Sequence, residues 1–497
     1  MSLPVEQRAL ARSRAALGAQ DGRPLLCSEA SVYLKYLLLE ALADTAELGS
    51  YARRTDLRSL LSVRLDSLIP ALFEAGRVQE VECVALALRA PSLYRERVLD
   101  LAQEALFSQP LAPDLCLFPR PLTLEEQEAA LPGERLHAVV FAVAPLFAHE
   151  FYPLAVDAFA RDSQVHGRPF FNVLGVHLDW FDSAGRFQRA IYLDADRNLL
   201  CEADLGWPMA PHSAHCLCLG RAERALHARF AARLACPLVN PAAPSALADD
   251  KAATLKGWSA LGLEVPAFLK VGPGEMGAAR AFMAQYRELV AKPNGGTEGE
   301  QVLFLENCYP EAQAMLQSHL ETCWQKDEAL LQERRDGLLF CDPLTNALHT
   351  LALRLNAAFD GRDYWIESAY AQIGANARTP AAAGQGGKLI DLPTARAHLV
   401  TRRHGLAVDL TPAAWERICL QAKDAAGLFA GLLLVGLDVL LDLDQDGAVQ
   451  AVFLEANPRP AGLSRAQFLA DGLQGVTLKM WDGLHRQCAA SQTGTAA

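Results

Sequence analysis

Two acidic side chains set in apolar, strand-like sequence constrain this chain more than anything else in it. Gly436-Leu437-Asp438-Val439-Leu440-Leu441 reads as a strand, Asp442 to Gly447 as a turn, and Ala448 to Leu454 as the returning strand. Glu455-Ala456-Asn457-Pro458-Arg459-Pro460 follows. Glu455 and Asn457 are two apart and so project to one face of extended backbone. Asp438, on the antiparallel neighbour, can be brought opposite them. Acids of this kind ordinarily end strands at the surface. Here the flanks, Val435 to Leu441 and Val452 to Leu454, would bury them unpaired at high cost. Two carboxylates and an amide oxygen make a hard-oxygen site suited to Mg²⁺, with positions left open for phosphate oxygens. The turn itself, Asp442-Leu443-Asp444-Gln445-Asp446-Gly447, matches the opening of a calcium loop. Its twelfth position is Phe453, which cannot ligate, so a hairpin explains it better.

A second constellation lies upstream. Asp249-Asp250-Lys251 through Leu261 reads as a helix, and Leu289-Val290-Ala291-Lys292-Pro293 as the end of a strand. Asn294-Gly295-Gly296-Thr297-Glu298-Gly299-Glu300 comes next, a glycine-rich loop whose backbone N–H groups can approach an anion closely. Lys292, just before it, supplies a point charge for the same anion. An ordinary hairpin turn beside a surface lysine is the competing reading of this segment alone, and the acidic hairpin downstream is what tips the balance.

These signals occupy the last of three regions. A chain of 497 residues is too long for one ordinary core. Residues 1–113 carry helical periodicity, as in Ser31 to Leu48 and Leu57 to Glu74, and read as a helical module with nothing chemical in it. Residues 114–244 change texture. Leu136 to Val143, Phe171 to Val176 and Arg189 to Leu193 are strand candidates, and Phe151 to Arg161 is helix-like, which implies a small α/β layer with a largely parallel sheet. Cys236 to Pro244, with three prolines in its last eight residues, is expected to forbid a helix. Residues 245–487 form the third region, and 488–497 read as a disordered tail. The formal net charge of −12 argues against nucleic acid as a partner. The longest apolar stretch, Ala425 to Leu437, is too short to span a bilayer, and no signal peptide is visible. Twelve cysteines without regular spacing read as reduced thiols, so the expected location is cytoplasmic.

Taken together, Lys251, Lys292-Pro293 with its glycine loop, Arg354 in Leu353-Arg354-Leu355-Asn356, and Asp438 with Glu455-x-Asn457 resemble the ATP-grasp superfamily in order and spacing. The match covers about Asn240 to Phe468. Pro-Leu-Val-Asn-Pro, the Asp-Lys pair and Gly387 after a Gly-Gln-Gly loop resemble the branch containing glutathione synthetase and related carboxylate–amine ligases. The resemblance implies an α/β (α+β) protein: an ATP-grasp fold of two subdomains with ATP between them, preceded by a small α/β domain and the helical module. It also implies roles. Lys251 and Lys292 would contact the α- and β-phosphates, and Gly295, Gly296, Thr297 and Gly299 would close over the nucleotide. Gln332, Glu333 and Arg334 would hold adenine and ribose. Arg354 would stabilise the transferring phosphoryl group, and Asp438, Glu455 and Asn457 would ligate Mg²⁺, with Mn²⁺ as an alternative. Arg378 and the Gly384–Gly387 loop would border the acceptor pocket, and Arg459 would hold a substrate carboxylate. Glu300 stands where a glycine is usual, and Glu298 adds negative charge to a phosphate loop.

The reaction so implied joins a small-molecule carboxylate to an amine, an amino acid or peptide among them, with ADP and phosphate released. No membrane or nucleic-acid partner is expected, and a homodimer is one expected assembly. A peptide macrocyclase of the graspetide type and a nucleotide sensor without turnover are the alternative readings. Other groupings point less clearly to chemistry. His212, His215, Cys216 and Cys218 fit no common zinc spacing, and Arg402-Arg403-His404 reads as a solvated face.

Overall fold

The computed structural model describes residues 123–141, 144–194, 199–216, 231–296, 301–335, 337–343, 345–382, 387–459, 463, 466 and 475–492. The helical module expected over 1–113 lies outside the described residues, as do Thr297 to Glu300, Gly384 to Gly386 and Cys218.

The described fold is mixed α/β, the class expected, and is built on three sheets. The first follows a short helix α1 (Leu124–Ala130) and contains β1 (Arg135–Phe141), β2 (Phe171–His177), β3 (Phe187–Asp194), β4 (Leu199–Met209), β5 (Ser213–Cys216) and β6 (Leu238–Val239), in the order β4-β3-β2-β1-β5-β6. Helix α2 (Ala144–His166) makes the crossover from β1 to the parallel β2. β1, β2, β5 and β6 are parallel, because each apolar run is covered on both faces, while β3 and β4 add as antiparallel strands. Of the His–Cys segment, Ser213 to Cys216 form β5, and His212 lies just before it. There Ser213 Oγ sits 2.8 Å from His137 Nδ1, and His212 Nδ1 accepts from the Leu136 N–H.

One expectation fails at the boundary. Helix α3 (Ala242–Asp249) runs straight through Pro244. Proline is tolerated there because the first-turn N–H groups have no intrahelical acceptor, so nothing is lost when one is missing. The boundary drawn at residue 244 therefore falls inside a helix. Helix α4 (Lys251–Ala260) follows at once, capped by Asp250, whose carboxylate accepts from Ala253 N.

The second sheet has the order β7-β10-β8-β9: β7 (Phe268–Val271), β8 (Glu288–Pro293), β9 (Leu303–Glu306) and β10 (Ala329–Glu333), all antiparallel. Helices α5 (Met276–Gln285) and α6 (Ala312–Cys323) cover one face. Phe282, Met283, Leu316 and Leu320 pack there on Leu289, Ala291 and Leu331. The alternate residues Glu288, Val290, Lys292, Leu330 and Gln332 are left on the other face.

The third sheet is built on the long β12 (Leu348–Phe359). It pairs with β11 (Leu339–Cys341), β13 (Tyr364–Ile373) and β16 (Leu434–Leu443); β14 (Lys388–Asp391), β15 (Leu399–Val400) and β17 (Val449–Asn457) complete it. The short helix α7 (Leu392–Ala397) lies between β14 and β15. One face is apolar: Leu353, Leu355, Ala357, Leu437 and Val439 pack on α4 and α8 (Pro412–Gly427). The turn from Asp442 is the hairpin expected, with Gly447 at φ +79° and Asp444 Oδ1 accepting from Asp446 N and Ala448 N. The chain between the second and third sheets passes so closely that a Cβ on Gly337 would lie 2.7 Å from the Leu440 side chain.

Helix α9 (Leu478–Gln492) packs against α2, β12 and β13. The boundary set at 487 thus falls within a helix, and residues 488–492 are helical where a tail was expected. Its Met480, Trp481 and Leu484 meet Phe151, Phe171 and Val173 of the first layer and Ala358 and Tyr370 of the third sheet in one apolar cluster. Such continuous packing joins the first sheet to the third.

Candidate active site

The polar face of the third sheet carries the acidic pair. Strand register aligns Tyr370, Arg354, Asp438 and Glu455 in a row across β13, β12, β16 and β17. The row arises because alternate residues of each strand are committed to the apolar core on α4 and α8, leaving the intervening positions on the opposite face. Arg354 donates through Nε to Asp438 Oδ1 at 2.5 Å and through Nη2 to Oδ2 at 3.1 Å. Asn457 Nδ2 also donates to Asp438 Oδ2, at 3.1 Å, and Gln372 Nε2 reaches Oδ1 at 3.4 Å.

Two lysines from different elements close on the other acid. Lys292, on the open face of β8, places Nζ 3.2 Å from Glu455 Oε2. Lys251, the first residue of α4, places Nζ 3.7 Å from the same oxygen and donates to the Gly296 carbonyl. Lys251, Lys292 and Asp438 are each 8 % exposed, which is unusual for residues of these types, and Glu455 is half-buried against them. Their electrostatics follow. Burial opposes ionisation of Glu455, but Lys251, Lys292 and Arg354 outweigh it and hold the carboxyl down at about 2. Burial pushes Asp438 up, with Glu455 adding to it and Arg354 resisting. Lys292 is shifted down by burial, with Glu455 opposing. Burial also works against the Arg354 charge, yet Asp438 holds that guanidinium protonated more firmly than usual.

Of the glycine loop, Gly295 donates its N–H to Asp327 Oδ2, and Gly296 offers its carbonyl to Lys251; Thr297 and Gly299 lie outside the described residues. Gln332 is buried on the cleft face of β10, opposite Val290, with Nε2 lacking a hydrogen-bond partner. Glu333 faces away: its Oε2 accepts from Ala267 N on the other side of the sheet. Arg334 lies over the Phe304 ring, 4.2 Å from its centroid, and 3.3 Å from Glu288. Burial, then the nearby Arg402, lowers its pKa to about 10.

The two expected substrate arginines meet other parts of the chain. Arg378 sits in the loop whose Ala377 carbonyl accepts from Arg334, with its own N–H bonded to Asn376 Oδ1. Arg459 is committed to Asp249, with Nη2 at 2.5 Å and 2.6 Å from its two oxygens. Arg402 is not a solvated residue, since it donates to Glu288 at 2.7 Å.

Three supporting residues were given no role of their own by the sequence, although Asn240 lies in the Pro-Leu-Val-Asn-Pro segment and Asn294 opens the glycine loop. Asn240 donates to the Leu434 and Pro458 carbonyls and accepts from Leu433 N and Leu434 N, tying the start of β16 to the end of β17. Asn294 accepts from Ala252 N and donates to Asp250, locking the glycine loop to the start of α4. Gln372 steadies Asp438. The motifs holding Asn240 and Asn294 were the available signals; Gln372 had none, since its strand was not marked in the sequence.

The chain is similar in fold to solved ATP-grasp ligases. One is the VanG D-Ala:D-Ser ligase from Enterococcus faecalis, at 13% identity and a TM-score of 0.45, over 71% of this chain and 98% of that one. Another is the D-cycloserine synthetase DcsG, at 18% and 0.43, over 71% and 99%. A third is the ATP-grasp ligase PsnB, solved with a phosphomimetic variant of its minimal precursor, Mg and ADP, at 16% and 0.40, over 72% and 99%. No protein-family model and no curated protein matches the chain. Identities this low leave the chemistry to be read from the cleft itself.

Proposed function

We propose that the chain is an ATP-dependent ligase that activates a carboxylate as an acyl phosphate and joins it to an amine, releasing ADP and phosphate. The observation that carries this reading is the buried row Arg354–Asp438–Glu455 with Lys251 and Lys292 against it. A carboxylate is a poor electrophile and needs a better leaving group before an amine attacks. Phosphoryl transfer asks a protein chiefly for positioning and charge neutralisation.

The residues fit a metal-bound triphosphate. Asp438 and Glu455 are hard-oxygen donors buried among cations, and Asn457, whose amide nitrogen is spent on Asp438, offers its oxygen. These three would hold Mg²⁺ or Mn²⁺, which when bound supplies positive charge to the phosphate oxygens. Lys251 and Lys292 exchange Glu455 for phosphate oxygens. Arg354, rigidly held, presents its remaining donors where charge develops on the transferring group. Gln332 meets the base edge from the floor of the cleft with its unpartnered amide.

The test is a screen of small acids and amines for pairs that trigger ADP and phosphate release. Arg354→Ala is expected to depress turnover far more than ATP affinity, because the main contact forms as the phosphoryl group transfers. Release of AMP and pyrophosphate would point to adenylation and overturn the assignment.

A further inference from the structure

Away from the cleft, two carboxylates converge on the N-terminus of α9. Asp157, from α2 of the first layer, accepts through a single oxygen, Oδ2, from Val476 N, Thr477 N and Thr477 Oγ1, each at 2.8 Å. Glu367, from β13 of the third sheet, accepts through Oε1 from Lys479 N at 2.9 Å. Its other oxygen, Oε2, is buried without a hydrogen-bond partner. Asp157 is 2 % exposed. The helix end is thus gripped from both sides, by one acid from each of the two bodies it joins.

The surrounding charges are few. On α9, Lys479 Nζ is 3.5 Å from Asp482 and lies over the Trp365 ring, and Asp482 in turn takes Arg161 of α2 at 2.5 Å. One turn further on, His485 Nε2 and Asp162 Oδ1 are 2.8 Å apart. Arg161 is therefore spent on Asp482; Lys479 acts directly on Glu367, and Lys423 shares the Trp365 ring with it, 4.6 Å from the centroid. A helix N-terminus carries about half a positive charge, enough to favour one carboxylate and not two in a buried setting.

We propose that Glu367 is held protonated near the ionised Asp157 at this helix end, and that this proton latches the first α/β layer, through α9, to the third sheet. Burial raises Asp157 to about 6 against the bonds from Thr477 and Val476. Burial raises Glu367 to about 8, with Asp157 and Asp482 adding to it and the Lys479 N–H opposing. The folded protein thus binds a proton that the unfolded chain has already released above about pH 4.5. The stability this gives is complete below that pH and is lost as the pH rises through about 8. With both acids ionised, two anions face one helix end and the grip on α9 weakens.

The experiment follows the thermal midpoint of the full chain between pH 6 and pH 9 in wild type, Glu367→Gln and Asp157→Asn. The wild-type Tm is expected to fall by about 2–3 °C across this range. Glu367→Gln, which keeps the shape of the protonated acid and has no proton to lose, is expected to show a clearly shallower fall and to exceed wild type at pH 9. Asp157→Asn, which removes the competing anion, is expected to flatten the profile as well. Profiles parallel to wild type in the variants that fold overturn the proposal. A measurement on the unmodified protein guards against variants that do not fold. After correction for intrinsic exchange, the amides of Val476, Thr477 and Lys479 are expected to lose protection between pH 6 and pH 9 before those of β16 and β17. Unchanged protection at those three amides overturns the proposal equally.

Discussion

At the residue scale, the cleft is a set of buried charges that depend on one another. Lys292 is the clearest case: a cation on a strand interior, held in place by Glu455 at 3.2 Å. Lys292→Ala is expected to weaken MgATP binding by roughly ten- to a hundred-fold, the loss of a charge-assisted hydrogen bond of about 1.5–3 kcal/mol. Calorimetric titration with an unchanged dissociation constant would move the phosphate site elsewhere. The pair Asp438 and Glu455 was legible in sequence because acids inside apolar alternation have few structural reasons to exist. The partners of Arg378 and Arg459 were not legible. Whether an arginine meets a substrate or an aspartate 210 positions away is decided by tertiary contact. Strand alternation sets Glu333 on the opposite face from its neighbour Gln332, which spacing along the sequence does not reveal without the sheet register.

At the scale of elements, the strands were the most readable part. The run from Leu136 (as far as Phe141), Phe171 to Val176 and the acidic hairpin all fall where their apolar runs place them. Helix limits were less so, since Pro244 sits in a first turn where its missing N–H costs nothing. What no pattern announced is how the two strands bearing the acids are held at their ends. Asn240 does this with four hydrogen bonds to backbone groups of Leu433, Leu434 and Pro458. Asn240→Ala leaves those groups without their partner and is expected to destabilise the fold by about 1–3 kcal/mol. Denaturant titration checks this through the midpoint. A midpoint equal to wild type would mean that β16 and β17 are fixed by the sheet alone.

At the scale of the whole molecule, the cleft lies between the second and third sheets, so a ligand spanning it bridges two separately packed cores. Anything bound there in preference to the unfolded chain adds stability by mass action, about 2.7 kcal/mol at a hundred times the dissociation constant. Saturating MgATP is accordingly expected to raise the thermal midpoint by a few degrees. The shift should shrink when the metal is chelated. An identical shift with and without metal would remove Asp438, Glu455 and Asn457 from the proposed nucleotide site. Among the described residues no helix is long and apolar enough to cross a membrane.

The pairing of Lys251 and Lys292 with Glu455, and of Arg354 with Asp438, has a consequence for order of assembly. A nucleotide without its metal would draw the cations to its phosphates and leave two carboxylates stranded in a dry crevice, a penalty subtracted from its affinity. A metal without nucleotide would strand the cations instead. On the proposed function each half of the complex would recover what the other forfeits, so the two would bind as heterotropic partners with reciprocal coupling, its strength set by how completely the crevice excludes water.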